Sequence, residues 1–381
     1  MDRRNFISLV GGGVVIAAGL SGCEKAPDAT TAWVSPGSAE RDVRRYALAH
    51  AILAPNPHNR QPWLARLDGT DAVTLFIDRT RLLPATDPFS RQIVVGCGSF
   101  LELLVIAAGA KGYSATVTPF PDGQPTDGLD ERPFARVVFT PGGSIDPLFR
   151  HILRRRTVRV PYDVKQAIPA ADLAAVQAAA GPEMRTGAVT GGEALSGLKT
   201  LTREAFEREV DTPAANQETI DLLRIGDKAI AEHRDGLFLR GPAMEAMKAV
   251  GILTPENLAK PGTIAFKQTR DYARPLCEAT TAFIWLVSPD NSRVTQIAAG
   301  RAYARMALEA TARGIAIQPM SQALQEYREM APFFARMDAA VGVQPGERLQ
   351  MLVRAGFAQD LPPAPRKGLE DLFRPNPART A

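Results

Sequence analysis

The sequence predicts an α+β fold in which one folding unit occurs twice. Helix and strand patterns alternate along the body of the chain, which is typical of a mixed fold. Among 381 residues, 45% are apolar and 23% are charged, as in a globular protein with a large core. A set of small and apolar residues recurs 202 positions later, where Gly98, Leu101, Leu104, Val105, Ala108 and Gly112 match Gly300, Tyr303, Met306, Ala307, Ala310 and Gly314. Two generic strand–helix–strand units are the alternative to a duplication.

The N-terminus has the layout of an export signal. Two arginines precede an apolar stretch at 6–20, which is followed by small residues. The string Leu20-Ser21-Gly22-Cys23 resembles a bacterial lipobox, which implies removal of residues 1–22 and attachment of lipid to Cys23. A plain signal peptide with a chance cysteine is the alternative. We therefore expect an exported protein that is anchored to a membrane by lipid and faces the periplasm or the cell exterior.

The same segment resembles a twin-arginine signal, the pattern read by the export route for folded proteins. Arg3 and Arg4 are followed by the apolar Phe6, although Asp2 stands where the pattern has Ser or Thr. A general secretory signal with two adjacent arginines is the alternative. On the twin-arginine route, a cofactor would be loaded in the cytoplasm before export.

The rest of the chain divides into a tether and two halves. Residues 23–40 are rich in Ala, Thr, Pro and Ser and predict a flexible tether. A Pro- and Gly-rich stretch at 141–147 marks a boundary, so we expect a first half at 41–143 and a second half at 144–381. Within the second half, a helical insertion at about 234–268 has the size of a lid.

Capping residues, prolines and apolar periodicity locate the individual elements. Helices are predicted at 38–54, 99–111, 151–156, 169–180 and 293–313, with a broken helical region at 192–258. Strands are predicted at 73–78, 115–118, 134–140, 185–189, 282–287, 315–318 and 349–356. Ser38 is expected to cap the first helix and Pro55 to end it. The helix at 99–111 has hardly a polar face, so we expect it to be buried on all sides.

Three short segments carry groups that suit a ligand. The first, Ala54-Pro55-Asn56-Pro57-His58-Asn59-Arg60-Gln61-Pro62-Trp63, follows a helix and projects the amides of Asn59 and Gln61. An amide offers a donor and an acceptor together, which suits the edge of a heterocycle. A Pro-rich helix terminator with turn-forming Asn residues is the alternative.

The other two segments are basic. The first of them reads Arg154-Arg155-Arg156-Thr157-Val158-Arg159. Arg156 and Arg159 are three positions apart, and Thr157 adds a hydroxyl between them. Guanidinium groups bind phosphate oxygens bidentately. A solvated basic turn is the alternative. Pro363-Ala364-Pro365-Arg366-Lys367 puts two cations on a stiff turn near the C-terminus. The net charge of +4 and the lack of a second dense basic run argue against nucleic acid. Four histidines and three cysteines argue against a metal cluster.

Together the three segments resemble the motifs of the nitroreductase-like flavoprotein family. Its members carry an RRSxRxF-like motif that grips the FMN phosphate, an APSxxNxQPW-like loop against the isoalloxazine ring, and a PRKP-like cationic segment near the C-terminus. Here the motifs read RRTVRVPY from Arg155, APNPHNRQPW from Ala54 and APRKGLEDLF from Ala364. The resemblance spans about residues 38–373 and implies FMN as the cofactor.

The order of the motifs departs from that of ordinary members, in which the phosphate motif comes first and two subunits share each FMN. Here the ring loop lies in the first half and the phosphate motif in the second, with Gly181-Pro182-Glu183-Met184 where a second loop would stand. This arrangement is similar to the fused, Acg-like branch of the family, in which one chain forms a pseudo-dimer. The resemblance thus implies an internally duplicated α+β fold, with a mostly antiparallel sheet flanked by helices in each half and one FMN between them.

The resemblance also implies which residues contact the cofactor. They form three groups: Arg155, Arg156, Thr157 and Arg159 with Arg366 at the phosphate; Pro55, Asn56, Asn59 and Gln61 at the ring; and Pro319, Met320 and Ser321 beside flavin N5. Asn56 replaces a Ser of the family pattern. Backbone N–H groups near N5 stabilise the charge that develops on reduction. No catalytic side chain is expected, because the chemistry takes place on the flavin.

The function implied by the resemblance is that of an FMN-dependent oxidoreductase. Electrons would come from NAD(P)H or another donor and pass through flavin N5 to a nitro, quinone or similar flat acceptor. The alternative is an FMN-binding lipoprotein that holds or shields the cofactor without turnover. Scarce nicotinamide donors outside the cytoplasm and the lid-sized segment at 234–268 favour that alternative. Both functions use the same FMN site.

Overall fold

The computed structural model of the protein describes residues 28–126 and 128–373. The expected export signal at 1–22 and the lipidation site Cys23 lie outside these residues. The expected tether at 23–40 is described from residue 28, and there it is not a free linker. A 3-10 turn at Thr31–Trp33 packs its indole onto the core, and Trp33 is only 7% exposed. The small and polar residues of the segment predicted a flexible tether. Burial of the single large side chain of Trp33 is enough to hold the segment against the folded body.

The first half contains a four-stranded antiparallel sheet and two helices. Its elements are α1 (Val43–Ala51), β1 (Trp63–Asp68), β2 (Ala72–Ile77), α2 (Arg91–Gly109), β3 (Tyr113–Pro119) and β4 (Ala135–Pro141). The strand order is β1-β2-β4-β3, and β1 is a strand that the sequence did not reveal. The first helix is capped by Asp42 rather than by Ser38, because the Asp42 carboxylate accepts the amide of Arg44 at 2.9 Å.

Helix α2 is the buried centre of this half, as expected for a helix with hardly a polar face. Phe100 and Leu104 are completely buried. The helix begins eight residues before the predicted start, because the Asp87 carboxylate accepts the amides of Gln92 and Ile93 at 3.1 and 2.9 Å and so caps its first turn. By length and apolar composition α2 is also a candidate membrane span, but 89% of its most apolar window is buried inside the protein. That burial is typical of a core helix.

The second half repeats the four-stranded antiparallel sheet in the order β5-β8-β10-β9. Its elements outside the insertion described next are α3 (Ala170–Ala178), β5 (Arg185–Val189), α4 (Gly192–Asp211), α10 (Ala273–Glu278), β8 (Ala282–Ser288), α11 (Arg293–Ala312), β9 (Ala316–Pro319), α12 (Ala331–Val341) and β10 (Arg348–Gly356). The helix expected at 151–156 is absent there. A 3-10 turn at Pro147–His151 precedes irregular chain instead, because Asp146 caps this turn by accepting the amide of Leu148.

A small subdomain between α4 and α10 contains strands that the sequence analysis described as part of a helical region. It is built of α5 (Pro213–Asp221), β6 (Leu223–Ile225), α6 (Asp227–His233), β7 (Leu237–Leu239), α7 (Pro242–Ala249), α8 (Pro255–Ala259) and α9 (Ile264–Asp271). The two short strands pair in parallel. The subdomain has its own apolar cluster, centred on Met244, Leu253 and Leu258. Its role as a lid remains a prediction.

The central helices of the two halves cross at the matched glycines of the sequence repeat. A Cβ atom on Gly300 of α11 would lie 1.9 Å from the Val95 carbonyl oxygen and 2.8 Å from the Gly98 Cα of α2. No side chain fits at this point, so only glycine lets the two backbones approach so closely. The predicted α+β class is confirmed, with two antiparallel sheets and the equivalent helices packed against each other.

The chain after β10 returns to the first half. A 3-10 turn at Leu369–Leu372 packs on α1 and β1, and Leu372 is part of the apolar core of the first half. The backbone amide of Arg366 donates to the Ala29 carbonyl at 3.0 Å. The two ends of the described chain therefore meet beside the first sheet.

Candidate functional site

Two adjoining cavities lie where the halves meet. The central cavity, of about 180 Å³, is lined by the segment 55–58, by α2 and by α4, α10 and the small subdomain. The arginine cavity, of about 90 Å³, is lined by the basic segment 155–159 and the C-terminal segment 361–366. Both cavities share five lining residues, which are Pro55, Asn56, Thr157, Arg159 and Leu237. One elongated ligand can therefore occupy both.

The loop at 55–61 is held in a strained conformation. His58, Asn59 and Gln61 have φ values of 46°, 52° and 50°, a region that side chains other than glycine rarely adopt. The side chain of Asn56 holds the turn, because its Oδ1 accepts the Gln61 amide at 2.7 Å. Three strained residues within four positions are typical of a functional loop whose conformation is fixed by the surrounding structure.

The amide side chains of this loop meet the C-terminal basic segment. Asn59 accepts a hydrogen bond from the Arg366 guanidinium and donates to the Pro365 carbonyl at 3.1 Å. Gln61 accepts the Lys367 amide at 2.9 Å and donates to the Arg234 carbonyl at 2.8 Å. Asn59 lines the arginine cavity, whereas Gln61 lines neither cavity and joins three segments inside the protein. The first and third sequence motifs therefore meet in space.

The arginine cavity gathers five guanidinium groups. They belong to Arg155, Arg156, Arg159, Arg240 and Arg366. Arg240 pairs with Asp227 at 3.1 Å. Within residues 28–126 and 128–373, none of the other four forms an ion pair with a carboxylate.

Burial acts strongly on two of these arginines. Burial lowers the pKa of Arg155 to about 10, and burial together with Arg155 and Arg156 lowers the pKa of Arg366 to about 9. Both groups stay cationic near neutral pH, and the Nε atom of each is buried with no hydrogen-bond acceptor in the described chain. Buried cations without a counter-ion are costly. An anion with several acceptor oxygens, such as a phosphate, could accept hydrogen bonds from both groups.

Trp33 is a residue of this site that the sequence analysis missed. Its ring lies 4.8, 5.5 and 6.0 Å from the guanidinium carbons of Arg156, Arg366 and Arg155. Its indole N–H donates to the Ala364 carbonyl at 2.8 Å. A lone tryptophan in a segment of small residues was the available signal. The segment after the expected lipidation site thus forms one wall of the arginine cavity.

The segment at 319–321 lines the central cavity opposite the loop. Pro319, Met320 and Ser321 all contribute to its wall. The Met320 amide is already used, because it donates to the Leu352 carbonyl at 2.8 Å. The Ser321 amide has no acceptor among the described residues. Of the three, only Ser321 thus offers a free backbone donor to a ligand.

The wall of the central cavity is mostly apolar and neutral. Burial, with Arg159 and Arg60 nearby, lowers the pKa of His58 to about 4, so its imidazole is neutral near pH 7. Burial raises the pKa of the Glu209 carboxyl to about 7. Such a cavity suits a flat, apolar group. Among the residues that the structure describes, no group of three His, Cys, Asp or Glu side chains is placed to hold a metal ion.

Replacing Glu209 with glutamine is expected to change how stability depends on pH. The folded protein keeps the carboxyl protonated up to about pH 7, while the ordinary value for the unfolded chain is 4.5. The wild type therefore loses free energy of unfolding relative to Glu209→Gln as the pH rises from about 4.5 to about 7, and the difference is constant above that range. Urea unfolding of both proteins at each pH measures this difference in the free energy of unfolding. The contributions of the other titrating groups cancel in the difference. A pH-independent difference would contradict a buried, neutral carboxyl.

The chain is similar to two provisionally named NAD(P)H nitroreductases of Mycobacterium tuberculosis. One is 29% identical over 340 residues, which cover 87% of this chain and 91% of the relative. The other, acg, is 28% identical over 355 residues, which cover 87% and 95%. An uncharacterized protein of the same organism is 37% identical over 120 residues, or 35% of its length. No protein-family model matches the chain.

Two solved structures are similar to part of this chain. The FMN-dependent nitroreductase NfnB of Mycobacterium smegmatis, in complex with NADPH, is 22% identical with a TM-score of 0.37, and the match covers 59% of this chain and 96% of that one. An iodotyrosine deiodinase bound to FMN and 3-iodo-L-tyrosine is 15% identical with a TM-score of 0.36, and the match covers 58% and 95%. Each solved chain is thus matched almost whole by little more than half of this chain.

Proposed function

We propose that this protein is an FMN-dependent oxidoreductase of the nitroreductase-like family that binds one FMN across the two cavities. The observation that carries the proposal is the cluster of buried, unpaired arginines at one end of a cavity whose other end is apolar. A mononucleotide flavin has a dianionic phosphate at one end and a flat apolar ring system at the other. Relatives that match 91% and 95% of their length carry the provisional name NAD(P)H nitroreductase, which supports the same assignment.

The residues present fit the cofactor. Arg155, Arg159 and Arg366 would bind the phosphate, and the unpaired Nε atoms of Arg155 and Arg366 are the donors that await acceptors. Pro55 and Asn56 lie at the junction of the cavities and would border the ring. The two basic segments come from the second half and the loop from the first, so one composite site is expected per chain.

The bound flavin would supply hydride transfer between NAD(P)H and a nitro, quinone or similar flat acceptor. The chain would supply position and electrostatics. The free Ser321 amide is the donor available to stabilise negative charge on the ring. The strained loop at 55–61 would hold the ring edge, and the apolar wall from α4 and the small subdomain would exclude water from the reacting face.

The experiment is to purify the protein, identify its chromophore by mass, and add NADPH or NADH without oxygen. We expect a yellow protein that releases FMN, loses its flavin absorbance with one of the two donors, and recovers it when a quinone or nitroaromatic compound is added. Bound flavin that no donor and acceptor pair turns over would contradict the oxidoreductase and leave a cofactor-holding protein.

Replacing Trp33 with alanine is expected to speed release of FMN. The indole packs against three guanidinium groups of the arginine cavity, those of Arg155, Arg156 and Arg366. Its loss opens that cavity to water and removes cation–π contacts worth about 1 kcal/mol each. Release is measured as the rise of free-flavin fluorescence after dilution. The variant Trp33→Phe, which keeps a ring, should release FMN more slowly than Trp33→Ala. Equal rates for wild type and both variants would contradict a role of the tether segment.

We further propose that the protein is exported and held at a membrane by lipid on Cys23, with its body outside the cytoplasm. The lipobox-like string and the twin-arginine-like start support this proposal. Labelling of cells with a radioactive fatty acid should mark the wild type and not the variant Cys23→Ser. Labelling of both proteins, or recovery of the intact N-terminus from cells, would contradict it.

A further inference from the structure

We propose that Glu209 is the substrate-recognition residue of the central cavity, where its carboxyl donates a hydrogen bond to a carbonyl or nitro oxygen of an uncharged, flat substrate. This inference deepens the proposed function and rests on it for the identity of the neighbouring group. It assigns a role to a buried acid that cofactor binding does not use.

The position of Glu209 is the first observation. The residue lies in the last turn of α4, is only 4% exposed, and lines the central cavity. Phe206 and Val210 of the same helix line the cavity beside it, and Thr219 and Ile220 of α5 face it from the small subdomain. The carboxyl thus stands in the wall that is formed by α4 and the insertion, away from the arginine cavity, which it does not line.

The charge around Glu209 is the second observation. Among the described residues that line the central cavity, Arg159 and Glu209 are the only members of the Asp, Glu, Lys and Arg group. Arg159 also lines the arginine cavity and belongs to the phosphate motif. Glu209 forms no ion pair in the described chain, and the nearby charged group that acts on it is Glu218, another carboxyl. Burial without a cation therefore favours the protonated acid.

The neighbours of Glu209 hold it in place without using its proton. Gln325 donates its amide to Oε2 at 2.7 Å, and the Thr219 hydroxyl lies 3.5 Å from Oε1. The side chain of Gln322 also acts on the carboxyl. The bond to Gln325 holds Oε2, while the 3.5 Å contact leaves Oε1 without a short hydrogen bond. A protonated Oε1 is a hydrogen-bond donor, and carbonyl and nitro oxygens are acceptors.

These observations define the substrate class. The apolar wall favours an aromatic or quinoid ring, and the single acid favours one acceptor oxygen at that end. An anionic group would lose its hydration in this mostly apolar cavity, where the only Lys or Arg among the described lining residues is Arg159 of the phosphate motif. We therefore expect neutral quinones or nitroaromatic compounds to bind and their anionic analogues to be rejected.

The test is equilibrium dialysis of the holoprotein with two probes, uncharged 2-methyl-1,4-naphthoquinone and anionic 1,4-naphthoquinone-2-sulfonate. We expect the wild type to bind the neutral probe at least about tenfold more tightly, an effect of the size of one buried hydrogen bond or charge conflict. Glu209→Leu should lose about tenfold in affinity for the neutral probe, and Glu209→Gln, which keeps a donor, should stay within about twofold. The control Glu204→Leu changes a partly exposed acid of the same helix that pairs with Arg336, and it should bind like wild type.

Neutral-probe affinity that is unchanged in Glu209→Leu would overturn the assignment, as would equal affinity of the wild type for both probes. Flavin absorbance and circular dichroism of each variant show that it is loaded and folded. Dialysis does not depend on the flavin, so the two proposals can fail separately. Quinone binding that depends on Glu209 in a protein without flavin would overturn the proposed cofactor and support the pocket. A protein that holds FMN, but whose quinone affinity is unchanged in Glu209→Leu, would overturn the role of Glu209 and support the proposed cofactor.

Discussion

Replacing Arg155 with methionine is expected to weaken FMN binding by about 10–100-fold and to leave the cofactor-free protein at least as stable as the wild type. Arg155 is 3% exposed, and its guanidinium Nε has no acceptor in the described chain. The one hydrogen bond of this guanidinium goes to the Leu53 carbonyl at 3.1 Å. Hydrogen bonds from a cation to a phosphate are worth about 1.5–3 kcal/mol each, which gives the expected loss in affinity.

The opposite effect on the cofactor-free protein follows from the crowding of like charges. Arg155 is buried beside Arg156 and Arg366, and no carboxylate in the described chain pairs with it. An unbranched apolar side chain of similar length removes this repulsion and fills the same space. Urea unfolding of the cofactor-free proteins and fluorescence titration with FMN measure the two effects.

The matched control is Arg154→Met, which removes an exposed arginine one position earlier in the chain. It should change neither FMN affinity nor stability appreciably. A cofactor-free Arg155→Met protein that is much less stable than wild type, with FMN affinity unchanged, would mean that Arg155 is a structural residue and not part of a phosphate site.

Replacing Gly300 with alanine is expected to lower the free energy of unfolding by about 3 kcal/mol or more, and to prevent folding where the protein is only marginally stable. The new Cβ would stand 1.9 Å from the Val95 carbonyl oxygen and 2.8 Å from Gly98 Cα, and all of these neighbours are backbone atoms. Neither α2 nor α11 can rotate to relieve this clash, because both helices are packed on most sides. The halves would have to separate, and the composite site would open with them.

Gly197→Ala is the control for this change. Gly197 lies inside helix α4, is exposed, and has no atom within 4 Å of a new Cβ. Alanine there should stabilise the helix by about 1 kcal/mol. Thermal unfolding of both variants measures the contrast. A Gly300→Ala protein that unfolds at the wild-type temperature would contradict the close crossing of the two helices.

The fold class could be predicted from the sequence because it depends on local patterns of apolar residues, prolines and caps. The apolar run of α2 and the alternation of the strands survive in the structure, and the matched Gly98 and Gly300 meet at the helix crossing. Boundaries were less predictable. The start of α2 depends on Asp87, which caps the helix from outside its first turn through bonds to Gln92 and Ile93.

Contacts distant in sequence were beyond the sequence pattern. Trp33 lines the arginine cavity and donates to the carbonyl of Ala364, a residue 331 positions later in the chain. Gln61 was expected at the ring, and its amide instead joins Arg234 and Lys367. The parallel strands of the small subdomain are only three residues each, too short for a period to be recognised. The motifs identified the segments that form the site. Which polar atoms of those segments already have hydrogen-bond partners depends on the fold and could not be predicted from the motifs.

The most direct test of the composite site is the number and identity of flavins released by heat from a weighed amount of purified protein. We expect one FMN per chain, because the loop of the first half and the arginines of the second half would form one site. Two flavins per chain would contradict a single composite site. A flavin without a phosphate, bound in full amount, would contradict the role of the arginine cavity.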